Sequence, residues 1–326
     1  MEIGKVPENI LKRSVFKKLT VKRPEVLVHA GVGEDCAALA PTEDALVLST
    51  DPITGTAKDI GKLAFHITAN DIASSGAELV GMLLTIIFSP DSTETELKEI
   101  MKDVTELAAQ YQVEILGGHT EVSAAVNQTL VSVTGVGRIA PEKMVTTGGL
   151  KPGQDLVVSK WIGLEGTAIL AAEKEEKLLA ELPSEIVETA KGFGKLLSVI
   201  PDSRVAMEIG VSAMHDVTEG GIFGALWEMA AASDVGLEVD LKKIPIRQET
   251  IEVCEVFDIN PYMLMSSGAM LIGTDHGSQL VEALKRTGIH ASVIGRATEG
   301  NDRVILNGEE RRFLEPSKTD ELFRVV

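Results

Sequence analysis

Between Ala45 and Leu79 the chain sets a condition that any fold must meet. A short apolar strand, Ala45 to Leu48, runs into a carboxylate at Asp51, and a segment of helical periodicity follows. Ile60, Leu63, Ala64 and Ile67 recur at i, i+3, i+4 and i+7, which gathers them on one helix face turned to a core. Four residues on, the same stripe reaches Asp71. A carboxylate on a buried face is costly unless a positive group or hydrogen-bond donors meet it. Two readings are open here: a structural acid paired with a lysine or capping a turn, and a metal ligand. Lys62, nine residues away, lies half a turn off the Asp71 face and has little claim as the partner.

The rest of the chain narrows the classes. With 326 residues there is room for two domains with separate cores, and 44% apolar with 25% charged residues is ordinary for a soluble globular protein. Acids outnumber bases by 49 to 31, a formal charge of −18, which argues against nucleic-acid or membrane-surface binding because both need a basic face. Two cysteines far apart, Cys36 and Cys254, make neither a disulfide framework nor a zinc site; Cys36 is read as a small packing residue. No apolar run reaches the length of a membrane span and no secretory h-region follows the N-terminal charges, so a cytoplasmic protein is expected.

Along the chain, a short amphipathic start (Ile10, Leu11, Val15, Phe16, Leu19) precedes a Gly-rich acidic loop, GVGEDC. After the Asp71 helix comes a strand from Met82 to Phe88, then a helix started by Ser92 or Thr93 with Glu96. A strand at Val113–Leu116, a Gly-bearing loop GGHTEV and a strand TLVSVTGVGRI complete the first half. The turn-rich passage 141–155 is the expected boundary, giving domains 1–148 and 149–326. Beyond it the spacing predicts a strand DLVVSKWIG, a charged helix over 164–182, a helix near 184–197 and a break at Pro201. A loop then passes into a helix over 213–233, followed by strands LEVDL, GAMLIGT and ASVIG with helices near 247–257 and 276–287. Strands and helices mix without strict alternation, which favours α+β over a doubly wound sheet.

Four acidic or Gly-rich spots stand out: GVGEDC, Asp51, Asn70-Asp71 and HDVTEGG at 215–221. Asp71 to Gly76 and Asp216 to Gly221 share an Asp, a branched apolar residue next to it and Gly five positions on. Carboxylates beside Gly turns or strand ends suit Mg²⁺, which takes oxygen ligands and is often shared with phosphates; each alone is more commonly a turn or cap residue. No P-loop, G-x-S-x-G or H-E-x-x-H pattern occurs. Gly135-Val-Gly137-Arg-Ile-Ala140 fits a loose dinucleotide pattern, but Pro141 follows and no helix opens there.

In the order GEDCAAL, STDPI, DIGKLAFHITANDIASSGAEL, ILGGHTEV and MHDVTEGGIFGALWEMA the chain resembles the aminoimidazole ribonucleotide (AIR) synthetase-like superfamily over nearly its whole length. That group includes thiamine-monophosphate kinase, selenophosphate synthetase and the hydrogenase maturation protein HypE, and the texture is nearest to HypE. The resemblance implies a two-domain α+β fold with an N-terminal dimerising domain and a C-terminal α+β domain. It also implies a homodimer and ATP with Mg²⁺ held between domains. It implies Asp35, Asp51, Asp71 and Asp216 as metal ligands. Gly33, Asn70, Gly117, Gly118, Thr120, Gly220 and Gly221 join them around the nucleotide, with His119, Glu121, His215 and Glu219 facing the substrate. The implied chemistry is phosphoryl transfer from ATP to an oxygen of a small molecule. HypE's terminal Cys, its G-D-T-K loop and its N-E-G motif are replaced here by an ELFRVV ending, Gly118-His-Thr-Glu121 and Ser266-Ser267-Gly268. These departures argue against HypE's own dehydration and leave two alternatives: a maturation factor acting on a partner's cysteine, and a nucleotide-binding accessory protein without turnover.

Overall fold

Burial alternates along Ala45–Ile53 with the period of a strand, and this alternation organises the first half of the protein. A computed structural model describes residues 26–28, 33, 37–39, 43–53, 59–316 and 319–326; the amphipathic start, Asp35 and Cys36 lie outside them. The described residues form two units, one extending to Met144 and the other comprising Val145–Val326 with Gly33.

The first unit is a six-stranded sheet in the order β1-β2-β3-β6-β4-β5. Its strands are β1 (Val26–Val28), β2 (Ala37–Leu39), β3 (Ala45–Ile53), β4 (Glu78–Phe88), β5 (Glu114–Val122) and β6 (Leu130–Ile139). All neighbours pair antiparallel except β4 with β5. Helix α1 (Ile60–Ser74) and helix α2 (Glu94–Tyr111) cover one face. Thr93 and Glu96 close α2 with a capping box, as their spacing requires. The sequence stripe understates α1: Ile67 is only half-buried, whereas Phe65, His66, Thr68, Asn70 and Ile72 are buried, because sheet and α2 enclose the helix from both sides.

The GGHTEV segment, expected as a loop, is strand. Gly117 to Glu121 continue β5 in parallel register beside Leu83 to Ile87, since the ladder with β4 supplies the backbone hydrogen bonds. The glycines of the loose dinucleotide pattern also have a packing reason. Gly137 lies in β6 beneath α1, and a Cβ there would stand 2.5 Å from Ile72 Cγ2.

The second unit is a seven-stranded sheet in the order β13-β12-β9-β11-β7-β10-β8. Its strands are β7 (Asp155–Ser159), β8 (Ala213–Asp216), β9 (Gly236–Asp240), β10 (Met270–Thr274), β11 (Ala291–Thr298), β12 (Arg303–Asn307) and β13 (Glu310–Phe313). The helices are α3 (Leu164–Glu173), α4 (Glu175–Glu181), α5 (Ser184–Lys191), α6 (Ile200–Ile209), α7 (Gly221–Ser233), α8 (Gln248–Phe257) and α9 (Gly277–Arg286). The expected helix 164–182 is two helices meeting at Lys174, and 184–197 ends as a 3₁₀ turn. Pro201 opens α6 rather than breaking the chain, because a proline in the first helical turn costs no internal hydrogen bond. One apolar core joins α7 to the sheet; a second gathers α3, α4, α5 and α8 around Leu170, Leu178, Val187 and Cys254. Burial pushes the Cys254 thiol up to about 12, consistent with an inert packing residue. Lys160 keeps a left-handed backbone (φ 55°) while its ammonium reaches both oxygens of buried Asp202 at 2.6 and 2.7 Å. Among the described residues no helix is long and apolar enough to cross a membrane.

Replacing Gly137 by Ala should force α1 and β6 apart at Ile72. We expect a loss of about 1–3 kcal/mol in a denaturant titration, where an unobstructed strand Gly→Ala change would be neutral or stabilising.

Candidate functional site

In the first unit the period of β3 places Ser49 and Asp51 on the helix-covered face, two residues apart. Helix α1 sets Asp71, 8% exposed, above them. The Ser49 hydroxyl donates to Asp71 Oδ2 and lies 3.4 Å from Asp51 Oδ2, so two carboxylates converge on one hydroxyl. Asn70 is fully buried beside Asp71, and Lys62 pairs instead with Asp59 at 2.6 Å. Two acids and a hydroxyl form a hard-oxygen donor set of the kind Mg²⁺ prefers. Ser49 is absent from the sequence-derived set, although its i, i+2 relation to Asp51 on a strand would have placed it there. His119 and Glu121, 3.2 Å apart, are exposed on the edge strand β5 together with Gly117, Gly118 and Thr120.

In the second unit Asp216 ends β8 and is 1% exposed. The chain turns through Gly220 and Gly221, with φ of 84° and 60°, into α7. Both conformations suit glycine, and a Cβ on Gly221 would stand 2.6 Å from Tyr262 O and 2.8 Å from Leu264 O. His215 is 2% exposed with Nε2 3.0 Å from Glu228 on α7, an arrangement that ties strand to helix. Gly33 lies against the same helix: a Cβ there would be 3.1 Å from Glu228 O. Asp216 belongs to the second unit, Asp51 and Asp71 to the first; among the described residues no three metal-ligating side chains form a cluster.

Three further segments meet the Asp216–Gly221 loop. Ser266 N donates to Thr218 O at 3.4 Å, while Ser266 Oγ accepts from Gly163 N at 2.7 Å and donates to Leu264 O at 2.7 Å. Ser266 therefore staples the turn before α3 to the turn before β10. Gly166 N donates to Met265 O at 3.0 Å, which brings Glu165 of α3 to Ser267. Glu165 is 2% exposed; neither its Oε2 nor the Ser267 Oγ completes a hydrogen bond of ordinary geometry. Burial pushes the Glu165 carboxyl up to about 7 against the opposing pull of Ser267, with Asp320 and Glu219 adding repulsion. Asp320 enters from the segment after β13 and accepts backbone N–H groups of Gly220 and Met265. Neither Glu165 nor Asp320 belongs to the sequence-derived set. The glycine-bracketed Gly163-Leu-Glu-Gly166 is a faint signal for the first, and nothing local marks the second.

Residues 33–139 match the model of the AIR synthase related protein, N-terminal domain, and residues 151–307 that of its C-terminal domain. A provisionally named hydrogenase expression/formation protein of Methanocaldococcus jannaschii is 28% identical over 93% of this chain and 91% of its own length. The carbamoyl dehydratase HypE of Rhodobacter capsulatus is 28% identical over 90% and 86%. Among solved structures, a HypE–HypF complex aligns with TM-score 0.77 at 23% identity, over 94% of this chain and 99% of that one. HypE in complex with ATP aligns with TM-score 0.72 at 19% identity, over 98% and 97%.

The Glu165 carboxyl has a testable cost. Its folded pKa lies above the unfolded value, so the folded state retains a proton that the unfolded state releases, and its contribution to stability is lost as pH rises from about 4.5 to 7. Glu165→Gln should remove this pH dependence and raise stability at pH 8 by on the order of 2 kcal/mol relative to its effect at pH 5. Thermal melts of both proteins across that range check the sign.

Proposed function

This chain belongs to the AIR synthase related protein family, and from that premise we propose that it transfers a phosphoryl group from ATP, with Mg²⁺, to an oxygen of a small molecule. The observation that carries the reading is the convergence of Asp51 and Asp71 on the Ser49 hydroxyl, inside the domain that matches the family's N-terminal model. A buried carboxylate and a half-buried one brought together this way repel unless a cation or proton joins them. Mg²⁺ fits their oxygen chemistry and, when bound, would neutralise phosphate charge. Support for the nucleotide comes from the HypE structure that contains ATP.

On this reading Asp51 and Asp71 serve the metal in the first unit, and Asp216 is the acid of the second unit's glycine loop. Gly220 and Gly221 allow close approach of backbone to phosphate at the start of α7, where helix N–H groups favour an anion. His119, Glu121 and Glu219 are assigned to the acceptor, whereas His215, enclosed and bonded to Glu228, is assigned to holding the Asp216 loop. The protein's contribution is positioning and charge neutralisation, which is what phosphoryl transfer chiefly requires. We further propose a homodimer built on the open sheet face. Leu46, Val80, Leu83 and Leu116 are each at least 36% exposed, and β5 is an edge strand with parallel pairing on one side.

A second reading is favoured by the identity to the Rhodobacter carbamoyl dehydratase: a maturation factor acting on a partner protein's modified cysteine. The two differ in what accelerates ADP release from Mg-ATP. Small amides and carbonyl compounds should do so under the first, and a carbamoylated cysteine peptide under the second. ATP binding without turnover on either would turn the assignment to an accessory protein. Asp71→Asn should weaken Mg-ATP binding at least tenfold in calorimetry; unchanged affinity would remove α1 from the site. Light scattering should give a dimer, and Leu83→Asp should shift it to monomer.

A further inference from the structure

Helix α7 begins without a side-chain cap of its own, because the residues at its start are the two glycines. The missing acceptor comes from Asp320, 100 residues further along the chain. Its carboxylate is fully buried and uses both oxygens: Oδ2 accepts from Gly220 N at 2.7 Å, Oδ1 from Met265 N at 3.2 Å and from Leu322 N at 2.8 Å. The donors belong to three segments: the loop before α7, the turn before β10, and the 3₁₀ turn Glu321–Arg324 that follows Asp320 itself. One charged group therefore joins the loop carrying Asp216 and Glu219 to the turn carrying Ser266 and Ser267. Leu322 packs into the α3–α8 core and anchors the segment that delivers it.

The arrangement is expensive, which argues against stability as its reason. Three N–H donors favour the ionised form, yet burial first, with the charge of Glu219, pushes Asp320 up to about 6. Glu165 faces the same carboxylate, so three acids share the cluster. A fold needing only to close this region would do better with a neutral acceptor. A loop of two left-handed glycines, by contrast, has many conformations to lose and needs a strong external acceptor to hold one of them.

We propose that Asp320 is the positioning residue of the Asp216–Gly221 loop, its carboxylate clamping Gly220 N–H and Met265 N–H so that the loop presents one backbone shape to the nucleotide. The proposal rests on the assignment of that loop to Mg-nucleotide binding. Asp320→Asn preserves size while setting an N–H₂ donor against a backbone donor; Asp320→Ser leaves a single neutral acceptor. The readouts are hydrogen–deuterium exchange of a peptide spanning 217–223, with β7 and β10 peptides as internal controls, and calorimetric affinity for Mg-AMPPNP.

The clamp predicts at least tenfold faster exchange over 217–223, unchanged exchange in β7 and β10, and at least tenfold weaker nucleotide binding in both variants. Unchanged exchange over 217–223 overturns it, as does faster exchange with unchanged affinity in a protein whose wild type binds the nucleotide. Faster exchange throughout the second unit in both variants also overturns it, making Asp320 a general fold residue. A wild-type chain that fails to bind Mg-AMPPNP overturns the nucleotide assignment instead, and the exchange comparison then decides whether Asp320 holds the loop.

Discussion

A carboxylate withdrawn from water must be met by donors, and the architecture is arranged around where those donors come from. Asp71 in α1 receives the Ser49 hydroxyl from the neighbouring strand. Asp202 receives the Lys160 ammonium on both oxygens. Asp320 receives backbone amides from three segments. In each case the acid is buried by one element and satisfied by another, so the pair records a tertiary contact more faithfully than any apolar residue nearby. Glu165 differs from these three: its buried Oε2 accepts no hydrogen bond, and burial makes its carboxyl hold its proton more strongly.

The two kinds of acid divide the protein's chemistry. Lys160–Asp202 is a closed pair with opposite charges in full contact, and it keeps a strained left-handed backbone in place. Asp51 and Asp71 instead come from different elements to the same Ser49 hydroxyl. On the proposed reading, that convergence prepares the site for a divalent cation. Around Asp216 the turns are held by neighbouring segments. Consecutive left-handed glycines open the start of α7, and Ser266 and Asp320 hold the surrounding turns to it. On the proposed reading, rigid support for that loop is what precise placement of a transferred group demands.

Local chemistry was legible wherever a residue's role is set by its near neighbours. The α2 capping box, the strand of β3, the helical character of α1 and the anomaly of Asp71 all follow from spacing alone. The misreadings share one cause. GGHTEV reads as a loop because two glycines suggest a turn, yet β4 supplies a parallel partner and the segment becomes strand. Gly135 and Gly137 imitate a nucleotide motif because α1 needs to lie close to β6. Pro201 reads as a break because its position within a turn depends on where the helix begins.

From sequence alone the chain is a two-part α+β protein with acids at strand ends and Gly turns, for period, composition and turn chemistry are short-range properties. The motif order carries its family membership as well. Only the tertiary structure decides that Asp71 joins Ser49 and Asp51, that Ser267 faces Glu165, and that Asp320 accepts from the N-cap glycine of α7, 100 residues earlier. Such contacts depend on which faces meet after folding, and a carboxylate's cost or use is settled by the donors that arrive there.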